Sequence, residues 1–182
     1  HHLIDENRTL LRAFNKQPPK RPDPEPERLK QTRWDEANHR LLINTPRAKG
    51  VVGFFQRFDE QQLGPVTLKR FNHEFGSVLL VSLDGRPLDQ SDRMLLQVMT
   101  HDRPFGFRAE GRPGRQRQIS DLGGPPFGVE KIDAALGLPP DLAITPLDPH
   151  GDPADNPLDP AEDRLTLLLP DRLHYLLQRR RE

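Results

Sequence analysis

Residues 78 to 100 read VLLVSLDGRPLDQSDRMLLQVMT, and the order of their parts decides the fold class. The run from Ser77 to Leu83 is dense in Val and Leu, with no regular polar alternation, which suits a strand buried on both faces. Asp84-Gly85 then supplies a strong turn, because Asp bonds nearby backbone and Gly reaches left-handed conformations freely. Asp92 to Thr100 fits a helix or a strand by pattern alone. Its place just after a buried strand and a turn makes strand the better reading.

Working outward, the same grammar of short β-compatible runs and turn residues recurs. Towards the N-terminus, Val66 to Phe71 alternates, and Ala48 to Phe55 is an apolar run interrupted by Gly50 and Gly53, as in a strand that bends or lies against another backbone. Thr32 to Asp35 and His39 to Thr45 flank Glu36-Ala37-Asn38 and predict a hairpin. Towards the C-terminus, Phe127 to Ala134, Leu142 to Leu147, Leu165 to Leu169 and Leu173 to Gln178 are expected strands. Arg103 to Gln118 is rich in Arg, Gly and Pro with little to bury, and reads as a long loop. The prediction is an all-β fold, a β-sandwich of about nine or ten short antiparallel strands, with no internal repeat.

Two segments before it read differently. Asn7 to Asn15 places Leu10, Leu11 and Phe14 at helical spacing with Asn7 as an N-cap, so residues 1–16 are expected to end an upstream domain or form a helical tail. Gln17 to Glu27 reads QPPKRPDPEPE, where repeated Pro removes backbone donors and forces an extended path. The expected organisation is therefore a Pro-rich linker over 17–29, a β-sandwich domain over 30–178 and a basic tail over 179–182.

Composition bounds function. Hydrophobic residues are 34% of the chain and charged ones 30%, so a core forms only where apolar residues concentrate, as they do in the runs above. The formal net charge is +0, which gives no long-range field to attract nucleic acid or an anionic membrane surface. No apolar run approaches the roughly 20 residues that span a bilayer. Neither nucleic acid nor membrane is an expected partner. With no cysteine, a disulfide framework and Cys-based zinc sites are excluded, and the redox compartment stays open.

Four stretches carry a resemblance that covers most of the chain from Arg33 to Leu177. Residues 33–53, RWDEANHRLLINTPRAKGVVG, hold Trp-Asp, a short turn, a strand ending in Asn-Thr-Pro-Arg, and an apolar Val-Val-Gly. Residues 78–100 hold Ser-Leu-Asp-Gly-Arg-Pro-Leu between two apolar strands. Residues 121–132, DLGGPPFGVEKI, begin a strand with Gly-Pro and continue to Val-Glu-Lys-Ile. Residues 144–177 end with a turn at Leu147-Asp148 and Gly151 and a Leu-rich strand before Leu173-His174-Tyr175. Together they resemble the C-terminal β domain that follows the catalytic TIM barrel in large bacterial glycoside-hydrolase-like proteins. The resemblance implies that the catalytic carboxylates lie in the barrel, before this chain, and that the parent is secreted or periplasmic. The Arg-Gly-Pro segment 103–117 departs from that group.

Candidate chemistry is sparse. Glycosidic cleavage needs two carboxyl groups in a groove, about 5 to 10 Å apart, but Asp84 in Asp-Gly and Asp148 near Gly151 suit turns better. Asp148-Pro149-His150-Gly151-Asp152-Pro153-Ala154-Asp155 offers oxygen ligands for a hard cation, yet lacks EF-hand spacing. His39, His73, His101 and His174 show no paired spacing for zinc. Ser82 and Ser91 lack a nucleophile elbow. Arg112, Arg115 and Arg117 form a solvated cluster that could clamp an anion. Trp34 and Tyr175 are the aromatics best suited to stacking on a sugar ring. No catalytic residue, metal or cofactor is assigned. The expected function is a non-catalytic accessory domain whose partner is the upstream catalytic domain of the same chain; the alternative is an independent carbohydrate-binding module that holds polysaccharide.

Overall fold

A computed structural model describes residues 31–55, 58–111, 117–158 and 165–180. The segments read as a helical tail and a Pro-rich linker lie outside them. The described chain is all-β, with fifteen strands and no helix. The strands are β1 (Thr32–Asp35), β2 (Arg40–Asn44), β3 (Ala48–Phe54), β4 (Gln61–Leu63), β5 (Val66–Phe71), β6 (Phe75–Ser82), β7 (Arg93–Met99) and β8 (Asp102–Phe105). They continue with β9 (Arg108–Glu110), β10 (Gln118–Asp121), β11 (Gly124–Val129), β12 (Ala134–Gly137), β13 (Leu142–Leu147), β14 (Leu165–Leu167) and β15 (His174–Arg179). Every named pairing is antiparallel.

A seven-stranded sheet has the order β1-β2-β3-β6-β7-β15-β13, and a four-stranded sheet the order β14-β12-β5-β4. Two small ribbons, β9–β10 and β8–β11, stand outside both. The strand count exceeds the nine or ten expected because short pairs such as β9–β10 form without a core to bury. For the same reason Arg103 to Gln118 is not a continuous loop.

One face of each sheet feeds a single buried cluster. Val51, Val78, Leu80, Leu96, Ile144 and Tyr175 come from the seven-stranded sheet, and Leu63, Val66, Leu68, Phe71 and Leu136 from the four-stranded one. The alternation is clearest in β6, where Gly76, Val78 and Leu80 are buried and their neighbours are half-buried. The expectation that Ser77 to Leu83 is buried on both faces is thus met on one face alone.

The connection from β6 to β7 shows why its sequence is distinctive. Asp84 Oδ1 accepts hydrogen bonds from Ser82 Oγ at 2.9 Å, Ser91 Oγ at 2.9 Å and Arg86 N–H at 3.1 Å. Its Oδ2 accepts from Asp92 N–H at 2.8 Å. Leu88, 1% exposed, is pinned into the core as its N–H donates to the Pro46 carbonyl at 2.8 Å. The Ser-Leu-Asp-Gly-Arg-Pro-Leu pattern is therefore a turn organised around one carboxylate, with a hydrophobic plug.

The segment expected as one strand from Phe127 to Ala134 is broken. β11 ends at Val129, Thr100 Oγ1 donates to the Glu130 carbonyl at 2.7 Å, and Ile132 turns into the core before β12 begins. Buried His73 clips this break, its Nε2 accepting from Asp133 N–H at 2.8 Å.

Candidate functional site

The two carboxylates weighed in the sequence, Asp84 and Asp148, each organise a turn. Asp84 is surrounded by the turn it organises: burial pushes its carboxyl up, but the donors from Asp92, Arg86, Ser82 and Ser91 outweigh that and hold it well below the usual carboxylate range. Asp148 Oδ1 accepts from His150 N–H at 2.8 Å and Asp152 N–H at 3.0 Å, and these backbone donors, Asp152 first, lower its pKa against the smaller effect of burial. Both are turn residues, as their sequence context indicates. Among the described residues, no group of three or more His, Asp or Glu could hold a metal ion.

The two aromatic candidates lie in opposite environments. Tyr175 is 0% exposed on β15, between Leu96 and Pro146 of the neighbouring strands. Its hydroxyl lies 3.2 Å from both the Leu169 and Arg172 carbonyls, and burial raises its pKa above the ordinary tyrosine value. A ring in the core cannot stack on a sugar, so Tyr175 is corrected to a structural residue. Trp34, on edge strand β1, is 58% exposed.

Register places Trp34 on a surface that residue-by-residue reading missed. Residues directly opposite in antiparallel strands share a face. Trp34 stands opposite Leu41, Leu41 opposite Val52, Val52 opposite Ser77 and Ser77 opposite Met99. The next row runs from Ile43 through Gly50 to Leu79, and the one after from Val81 through Leu95 to Leu176. Phe54 pairs with Phe75 at the end of the face. This is the side opposite the buried cluster, and it is largely apolar over β1, β2, β3, β6 and β7, interrupted by Ser77 in the first row and by Gln97 and His174, which continue the second beyond Leu79. Trp34, Phe54 and Met99 are exposed, and the other apolar side chains are half-buried.

Two of the ring pairs on this face stand edge to face and a third is tilted. His39 and Phe54 are at 78°, Phe54 and Phe75 at 73° and 5.3 Å between centroids, and Phe75 and His101 at 46°. They form no coplanar platform. The signal for the face was the Val/Leu run of β6 itself, since a strand with one solvated face would show polar residues at alternate positions.

Of the arginine cluster, Arg117 lies 3.8 Å from Glu74 across an ion pair; Arg112 and Arg115 lie outside the described residues. Comparison with known proteins finds no matching family model, no curated relative and no solved structure.

Proposed function

We propose that this chain is a non-catalytic accessory β domain, a two-layer sandwich, that packs on the catalytic barrel of a carbohydrate-active enzyme through the outer face of its seven-stranded sheet. The observation that carries the reading is a sheet with its fully buried cluster on one face and, on the other, apolar residues from Trp34, Leu41 and Val52 to Leu79, Leu95 and Leu176 that outnumber the polar Ser77, Gln97 and His174. Extended apolar patches mark interaction surfaces in folded proteins. The resemblance of residues 33–53, 78–100, 121–132 and 144–177 to the C-terminal domains of glycoside-hydrolase-like proteins supplies the identity of the partner.

The alternative, an independent carbohydrate-binding module, draws support from exposed Trp34 alone. Tyr175 is buried, and the edge-to-face rings suit side-chain interdigitation better than a flat sugar face.

Because the chain has no cysteine, single Val52→Cys and Leu95→Cys variants report the outer face directly. In the 182-residue chain both thiols should react readily with a maleimide. In the parent protein carrying the barrel they should be protected at least tenfold. Equal reactivity in both, or a natural polypeptide without a barrel, overturns the proposal.

A further inference from the structure

The β8–β11 ribbon sets glycines opposite two side chains of β8. Register sets Arg103 opposite Gly128 and Phe105 opposite Gly124, while Pro104 faces Phe127 on the other side. β11 thus places a glycine opposite each of Arg103 and Phe105, with Pro125 and Pro126 in a bulge between the two glycines. A Cβ added at Gly124 or Gly128 would meet nothing within 4 Å. The result is an open floor of backbone bordered by a cation and by a ring that is 77% exposed.

The turn after β8 completes the border. Phe107 N–H donates to the Pro104 carbonyl at 3.1 Å, and Gly106 has a φ of 80°, as the third position of a type II turn requires. This brings Phe107 back beside β8, where the Arg103 guanidinium carbon stands 5.7 Å from its ring centroid. A guanidinium held near an aromatic ring keeps its fork oriented. Arg103, like Arg33, Arg47, Arg93, Arg108 and Arg180, has no ion-pair partner among the described residues, and it is the one of these that stands against an aromatic ring. Arg103, Phe105, Phe107 and Gly128 line a cleft of about 350 Å³ together with His101 and Glu130.

We propose that this cleft binds an acidic saccharide, with the pyranose ring laid over Phe105 and Gly128 and the sugar carboxylate held by Arg103. An aromatic face packs against the apolar C–H edge of a sugar ring. A planar guanidinium matches a carboxylate in bidentate geometry. The bare floor lets hydroxyls approach backbone groups that a side chain would cover. Glu130, whose carboxylate lies 3.5 Å from His73 Nδ1, also lines the cleft and is suited to accept from a hydroxyl. The choice of a saccharide among carboxylate-bearing ligands rests on the carbohydrate-active reading above; the cleft itself does not depend on the outer sheet face.

The test is NMR or calorimetric titration of the whole 182-residue chain with tetramers of galacturonate, mannuronate and glucuronate, and with a neutral cello-tetraose. At least one uronate should bind, with shifts centred on β8 and β11, and cello-tetraose should bind at least tenfold more weakly. Gly128→Val fills the floor where the backbone leaves room, so the fold should persist with an unchanged melting curve while uronate affinity falls at least tenfold. Arg103→Gln should remove the preference for the acidic sugar, and Phe105→Ala should weaken it. Equal binding of the neutral sugar, undiminished binding by Gly128→Val, or no binding of any uronate overturns the site. Thiol protection of the outer face is a separate readout, so failure of the cleft and failure of the docking reading are told apart.

Discussion

Gly50 on β3 and Leu79 on β6 stand directly opposite each other, and Leu79 lies so close over the glycine that an added Cβ would come within 2.8 Å of its Cδ1 and 2.7 Å of the Val78 carbonyl oxygen. The missing side chain is what lets Leu79 lie against the sheet. Gly50→Ala should therefore destabilise the chain by about 1–3 kcal/mol, the usual cost of overpacking. Ser77→Ala on the same face should stay within about 0.5 kcal/mol of the parent. Urea unfolding measures both, and an unchanged midpoint for Gly50→Ala would show that Leu79 swings aside freely.

The two faces of β6 and β7 offer a matched comparison. Leu80 and Leu96 are 0% exposed in the core, whereas Leu79 and Leu95 are half-buried on the other side. Leu80→Ala or Leu96→Ala should cost about 2–5 kcal/mol through lost burial and the cavity left behind. Leu79→Ala or Leu95→Ala should cost about 1 kcal/mol in the isolated chain, since less area is removed from water. In the parent protein the outer pair should become more costly. Equal losses at all four positions in the isolated chain would mean that the second face is already fully packed.

Sequence pattern located most of the strands because their burial alternates or runs continuously. Val66–Phe71 is β5 from end to end, and the hairpin around Glu36-Ala37-Asn38 forms where Asn38 Nδ2 donates to Asp35 Oδ2 at 2.9 Å. What pattern missed was held together by pairing rather than by burial. β8 to β10 expose most of their residues, so nothing in their hydrophobicity distinguishes them from a loop. The candidate sites were less legible still. Tyr175 and Trp34 look alike as aromatic residues on strands, and only the register, which places Tyr175 between Leu96 and Pro146 and Trp34 on an edge, separates a core ring from a surface one. The glycines of β11 become a floor only once Arg103 and Phe105 are known to face them.

Acid should weaken the fold through its turns. Asp35, Asp84, Asp133 and Asp148 all have pKa values lowered from the ordinary aspartate value of 3.8. The Asn38 side chain is the largest cause at Asp35, the Asn72 side chain at Asp133 and backbone donors at Asp148. A carboxylate whose folded pKa is depressed makes the folded state bind fewer protons than the unfolded one, so its contribution is present above the unfolded pKa and is lost as pH falls through the folded pKa. Stability should thus be flat near neutrality and decline below about pH 5. Asp84→Asn, which cannot ionise, should lower stability at neutral pH and make the decline between pH 5 and 2 shallower. An identical acid profile in that variant would show that Asp84 does not contribute to it.

Alkali tests the placement of the aromatic core. Tyr175 is the single tyrosine of the chain, so tyrosinate absorbance reports it alone. Burial raises its pKa above 10.0, the ordinary value, and its hydroxyl is held at 3.2 Å from the Leu169 and Arg172 carbonyls. For a phenol whose folded pKa is raised, the folded state keeps the proton longer than the unfolded one. Its contribution is complete below the unfolded pKa and is lost as pH rises above it. Tyrosinate should therefore appear well above pH 10, together with the loss of folded β signal by circular dichroism, and not as a separate step before it. Tyr175→Phe keeps the ring and removes the hydroxyl hydrogen shared by the Leu169 and Arg172 carbonyls, so it should cost about 1 kcal/mol, whereas Tyr175→Ala should cost about 3–5 kcal/mol by opening the core. Reversible ionisation near pH 10 in a still-folded chain would place the phenol at the surface and return Tyr175 to the candidates for sugar contact.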